Sequence, residues 1–345
     1  MRRNLAVWIW MAQLVVMTGC RNAHSKDKSA AQPEPHALGA SAPVLTFAPP
    51  CASVQVAMAG RATDAALAEL SGVAASRRLP DVLWVHNDSG NKARVYAIAP
   101  NGKRLASWKL KKVPSTDWED IAIGPCGTVG SAQAASCLYL ADTGDNHSDR
   151  TELHILRWPE PHALPAPGED ETLKVKGEVE IFTFALPNGP EDIEAMAVLP
   201  DTRVLLFSKR NDATSNVYRV TLGDKPLVEL LGTLNLRDEL ADHGEALRVT
   251  AADLHPNGKT LALRTYGRVL VADIGELLAG PADLARAGLT RVAWRRWPQP
   301  DEPHGEAVGW AADGGLWMLS DMALPVIWHA QCQVALPTAP SPASR

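Results

Sequence analysis

The chain has 345 residues, with 34 Lys and Arg against 39 Asp and Glu for a formal net charge of −5, and 46% of it is hydrophobic. No basic run interrupts it, so the positive footprint that a nucleic acid requires is missing and that class of partner is excluded. Between polar ends lies enough apolar chain for one large domain.

Arg2 and Arg3 precede an apolar run from Leu5 to Met17, and Thr18, Gly19 and Cys20 follow. The run is too short for a membrane span, and its flanks suit a secretory signal peptide over residues 1–19. The ending VVMTGC resembles the bacterial lipobox, in which the chain is cut before the cysteine and the thiol carries diacylglycerol. The resemblance implies an exported lipoprotein, membrane-attached through a palmitate-type anchor on Cys20. Arg21, standing where an Asp would retain such a protein in the inner membrane, implies the outer membrane of the cell envelope. Residues 20–50 continue as a flexible tether rich in Ala, Pro, Ser and charge, and residues 336–345 read as a disordered tail.

Within residues 51–335 one unit recurs five times. Each opens on a small or acidic residue with a short apolar run, turns into a second apolar strand ending in polar residues, and continues into a third. The first strands are LSGVAAS (70–76), EDIAIG (119–124), EAMAVLP (194–200), VTAADLHP (249–256) and EAVGWAA (306–312). The second are LWVHND (83–88), LYLADTGDN (138–146), LLFSKRND (205–212), LALRTYG (261–267) and LWMLSD (316–321). Four units add a fourth strand: RLASWKL, VEIFTFAL, VELLGTL and TRVAWRRW. The turns PNGK at 100–103 and 256–259 carry Asn-Gly hairpin chemistry. The fifth unit has no fourth strand, while ASVQVAMAG (52–60) stands unassigned at the other end. The pattern predicts an all-β fold, a β-propeller of five four-stranded blades closed by the N-terminal strand.

Apart from Cys20 the cysteines are Cys51, Cys126, Cys137 and Cys332, and four allow three pairings. Closure selects one. Cys51 precedes the closing strand and Cys332 ends its antiparallel neighbour, while Cys126 and Cys137 flank one hairpin turn, so Cys51–Cys332 and Cys126–Cys137 are the expected disulfides.

The units LWVHNDSGN, DWEDIA, LYLADTGDN with RTELHILRWPEP, VTAADLHPNGKTLALRTY and HGEAVGW resemble secreted bacterial propellers related to the NHL, SdiA-regulated and esterase-like phytase proteins. The resemblance covers roughly residues 65–330. It implies the propeller fold, with six blades found among such relatives, and no settled reaction.

Loops leading into first strands and loops leaving second strands open on one propeller face. The former supply Glu69, Asp117, Glu119, Asp120, Glu191, Asp192, Glu194, Glu245, His304 and Glu306. The latter supply His86, Asn87, Asp88, Asp142, Asp145, Asn146, Lys209, Arg210, Asn211, Arg264, Tyr266 and Asp321. The same reasoning expects Glu119, Asp120, Asp142, Glu194, Arg264 and Glu306 to share a pocket. Carboxylates so dense must be protonated, paired with cations or bridged by metal. Lys209 and Arg264 suggest an ion-pair ring, and a hard cation such as Ca²⁺ on Glu119, Asp120, Asp142 and Asn146 is the other solution. HGEA occurs twice, at His243–Glu245 and His304–Glu306, where a His beside a carboxylate could relay protons. HExxH, GxSxG, P-loop, CxxC and nucleotide-binding glycine patterns are absent. The expectation is a lipid-anchored propeller that binds a ligand or partner protein at an acidic central face. Its rival is a Ca²⁺-dependent hydrolase of phytase or lactonase kind.

Overall fold

Short apolar runs separated by tight turns give antiparallel hairpins, and the computed structural model assembles them radially. It describes residues 45–333 except 89, 128–135, 167–169, 175–177, 238–246, 276–288, 290–291 and 303. The expected signal peptide, Cys20, most of the tether, the tail, His243 and Glu245 lie outside the described residues.

After β1 (Val54–Arg61), blade one comprises β2 (Leu70–Ala75), β3 (Leu83–Asn87), β4 (Arg94–Ile98) and β5 (Arg104–Lys111). Blade two follows with β6 (Trp118–Pro125), β7 (Ser136–Asp142) and β8 (Leu153–Pro159); β9 (Asp170–Lys174) intervenes before its outer strand, β10 (Glu180–Phe184). Blade three is β11 (Ile193–Val198), β12 (Val204–Ser208), β13 (Thr214–Thr221) and β14 (Leu227–Asn235). Blade four is β15 (Val249–Leu254), β16 (Thr260–Thr265), β17 (Arg268–Asp273) and β18 (Arg295–Trp297). Blade five is β19 (Gly305–Trp310), β20 (Leu316–Ser320) and β21 (Val326–Cys332), completed by β1, so the fold is the expected propeller.

Burial explains the sequence patterns. Inner strands β11 and β15 are buried at every residue because neighbouring blades cover both faces, whereas outer β10 alternates towards solvent. The inner strands converge on the axis, so their faces towards the next blade carry small residues. A Cβ on Gly309 would stand 2.6 Å from the Val73 carbonyl oxygen of blade one. Closure pairs β1 with β21 from Val54↔Cys332 to Arg61↔Val326. Both expected disulfides are present, with Cα atoms 5.4 Å apart at Cys51–Cys332 and 5.1 Å at Cys126–Cys137.

Two details depart from the sequence reading. TRVAWRRW contributes only Arg295–Trp297 to blade four among the described residues. DETLK, too polar to be read as a strand, becomes β9 by pairing parallel to β5, which covers the outer edge of blade one.

The two ends of the axis differ. Inner strands begin at the upper face and finish at the lower one, where residues 45–51 cross. Leu45 N donates to Arg77 O (2.7 Å), Ala48 N to Ala312 O (2.8 Å) and Cys51 N to Gly314 O (3.1 Å). His255 Nε2 lies 2.9 Å from Ala48 O, and Asn257 N donates to its Nδ1, which fixes the neutral Nε2–H tautomer. The upper face carries the acids.

Candidate functional site

Every inner strand skips one residue of its pairing just after its start. The unpaired residues are Ser71, Glu119, Glu194, Thr250 and Glu306, one per blade. A bulge of this kind re-aims a side chain that the ladder would otherwise hold against a neighbour. Ser71, Glu119, Glu194 and Glu306 line an upper pocket of about 210 Å³ together with Glu69, Asp88, Asn146, Lys209, Tyr266 and Asp321. Asp88, Lys209, Tyr266 and Asp321 each follow directly on the last residue of a second strand, which makes a second ring around the first.

Six carboxylates thus face one ammonium. Lys209 Nζ donates to Glu194 Oε1 at 2.7 Å and stands 5.3 Å from the Tyr266 ring centroid. Burial, then the carboxylates of Glu194, Asp117, Asp88 and Asp192, push the Glu119 carboxyl well above its usual range. Burial likewise raises Glu194 against the pull of Lys209, and raises Glu306 to about 7. Asp321 is raised by burial and by Asp88 and Glu69. Among the described residues, two groups of carboxylate oxygens, Asp88–Asp117–Glu119 and Glu119–Asp192–Glu194, are compact enough to hold a metal ion, each lying within 4.8 Å. Glu119 belongs to both.

Other expected site residues lie elsewhere, and strand alternation explains why. Asp120 follows the bulge and turns to the interblade side, where its carboxylate accepts from Ile121 N (2.9 Å), Met196 N (2.8 Å) and Ala252 N (3.1 Å). It ties blades two, three and four beneath the pocket. Asp142 accepts from Thr116 N (2.9 Å) and Asp117 N (2.8 Å) and pairs with Arg150 and His154, which shapes the loop before β6. Arg264 sits one residue before the position equivalent to Asn87, Asp142 and Ser320, so it points between blades. It is 2% exposed, donates to Ala307 O at 3.1 Å and pairs with Glu302. His304 remains exposed at the rim, its ring centroid 5.1 Å from that of Tyr266. Asp145 caps its own loop, accepting from the backbone N–H groups of Asp149 and Arg150. Sequence reasoning passed over Ser71 and Thr250. Aligning the five first strands on the residue after the bulge, which is Gly or Ala in four of them, would have exposed them.

No family model and no curated protein sequence matches this chain, so the resemblance to the NHL, SdiA-regulated and phytase-like propellers rests on the motifs alone. Among solved structures it is similar to the PQQ-bound form of an aldose sugar dehydrogenase from Streptomyces coelicolor. The TM-score is 0.43 at 11% identity, covering 82% of this chain and 99% of that one. A streptogramin B lyase gives a TM-score of 0.39 at 8% identity over 81% and 98% of the two chains. The soluble aldose sugar dehydrogenase of Escherichia coli, in its apo-form, gives 0.40 at 11% identity over 81% and 100%. Likeness this remote carries no activity over to the present chain.

Proposed function

We propose that this protein is an exported, lipid-anchored propeller that binds a positively charged ligand or partner in its upper pocket. One observation carries the reading: six pocket carboxylates are faced by Lys209 alone among the lining residues. Carboxylates held this close and away from water are costly, and a bound cation offsets that cost. Two disulfides suit an oxidising compartment outside the cytoplasm.

Thermal-shift titration with spermidine, a Lys-rich peptide and Ca²⁺, beside glucose 6-phosphate as anionic control, tests the pocket. The cations should raise Tm and Glu306→Gln should weaken the effect; stabilisation by the anion alone would overturn the reading. For the anchor, Cys20→Ala should abolish labelling by a fatty-acid probe, and undiminished labelling would remove the lipobox assignment.

A second reading, a cation-dependent hydrolase, is favoured by Glu306, whose pKa near 7 suits general acid–base work. Chelator-sensitive hydrolysis of a phosphomonoester or lactone, lost in Glu306→Gln, supports it. Turnover unaffected by that substitution removes it.

A further inference from the structure

We propose that Asp88, Asp117 and Glu119 seat one hard divalent cation at the side of the pocket formed by blades one and two. The inference rests on the reading of the pocket as a cation-binding site and names the cation's chemistry and place.

Three observations carry it. The three carboxylates bring oxygens within 4.8 Å of one another, the donor chemistry that Ca²⁺ and Mg²⁺ prefer. Glu119 is only 5% exposed and lines the pocket, and its carboxylate accepts no hydrogen bond and meets no cationic side chain among the described residues. Its surroundings are the acids Glu194, Asp117, Asp88 and Asp192. A carboxylate so enclosed, and unmatched among the described residues, calls for a positive partner from outside them. The third observation is Gly144. A Cβ at this position would lie 1.8 Å from Glu119 Oε1 and 2.6 Å from Asp117 Oδ2, so the missing side chain is what lets both carboxylates rest together against the loop after β7.

The neighbouring group is the weaker candidate because its charge is already matched. Glu194 is paired with Lys209, and Asp192 Oδ1 accepts the Asp145 backbone N–H at 2.7 Å. A built-in ammonium thus serves blade three, and the added cation serves blades one and two.

Isothermal titration of the whole propeller with Ca²⁺ and Mg²⁺ should show one site, with a Ca²⁺ Kd between roughly 10⁻⁵ and 10⁻³ M. Glu119→Gln and Asp117→Asn should each weaken Ca²⁺ binding about tenfold or more, and Asp192→Asn by less than about threefold. Gly144→Ala, which keeps every ligand, should also weaken it about tenfold by displacing the Glu119 carboxylate. Far-ultraviolet circular dichroism of each variant confirms that it folds. Equal losses at Asp117 and Asp192, or Asp192 the larger, would overturn the assignment. So would a wild-type protein that binds neither metal; spermidine binding by that same protein would leave the wider reading intact.

Discussion

Acids occupy both the mouth of the propeller axis and its interior, and their circumstances are opposite. Below the mouth, Asp120 receives three backbone N–H groups from three blades, and Asp253 receives Trp310 N at 2.8 Å. At the mouth, Glu119, Glu194 and Glu306 stand on bulges, and among the described residues only Glu194 has a close cationic partner. Burial raises the pKa of carboxyls in both regions, but inside the axis backbone donors oppose the rise. The hydroxyl members of the bulge ring side with the interior. Ser71 Oγ donates to Glu119 O and Thr250 Oγ1 to Gly305 O, each at 2.8 Å, and so stitch one blade to the next. Acids that receive backbone donors hold the fold; those at the mouth, which receive none from the backbone, are the ones the proposed reading gives to a ligand.

Breaking the interior should therefore cost most. Asp120→Ala leaves three buried N–H groups without acceptors, at about 1–3 kcal/mol each, so a loss of about 3–9 kcal/mol is expected in urea denaturation. A loss below about 1 kcal/mol would show that Asp120 is not a structural tie. Next comes Arg264, buried against Glu302 and Ala307 O. Arg264→Ala strands the Glu302 carboxylate and should cost about 3–5 kcal/mol, whereas Arg264→Met with Glu302→Leu should recover most of it.

How far sequence could separate these two regions is clear from Glu119 and Asp120 themselves. The five-unit repeat, the closing strand and both disulfides followed from apolar runs and cysteine positions, because blade burial writes itself directly into hydrophobicity. Adjacent Glu119 and Asp120 read alike as rim acids, yet one lines the pocket and the other crosses the axis. What divides them is a one-residue bulge, and a bulge changes pairing register without changing composition. Arg264 was misplaced for the same reason, since one step along a strand exchanges faces. The polar β9 was hidden because its partner, not its own residues, makes it a strand.

Acidity provides a titration of the comparison. Glu306 has an ordinary carboxyl pKa of 4.5 in the unfolded chain and about 7 in the fold, so the folded state holds its proton more tightly. Its contribution is fully present below about 4.5 and is lost as pH rises through about 7, when the charge must form inside the pocket. Without added cation, stability attributable to Glu306 should fall by up to about 3 kcal/mol between those limits. Glu306→Gln should flatten that part of the pH profile. An unchanged profile in the variant would place the effect elsewhere.

The mildest expected effect is also the sharpest discriminator. Replacing a buried carboxyl that has no donor by an amide of the same shape removes the cost of either burying its charge or taking up a proton. Without added metal at neutral pH, Glu119→Gln should therefore stabilise the protein, by about 1–2 kcal/mol. The amide gives up the strongest cation ligand, so saturating Ca²⁺ should raise the Tm of the wild type more than that of the variant, and the order of the two melting curves should converge or invert. Asp120→Asn, one residue away, should destabilise with or without Ca²⁺, because its amide nitrogen would face backbone N–H groups that now meet an acceptor. Opposite signs at adjacent acids are what a ligand-facing mouth above a self-satisfied interior requires. If both substitutions destabilise alike in metal-free buffer, Glu119 is held by the protein as Asp120 is, and the distinction between the two regions fails.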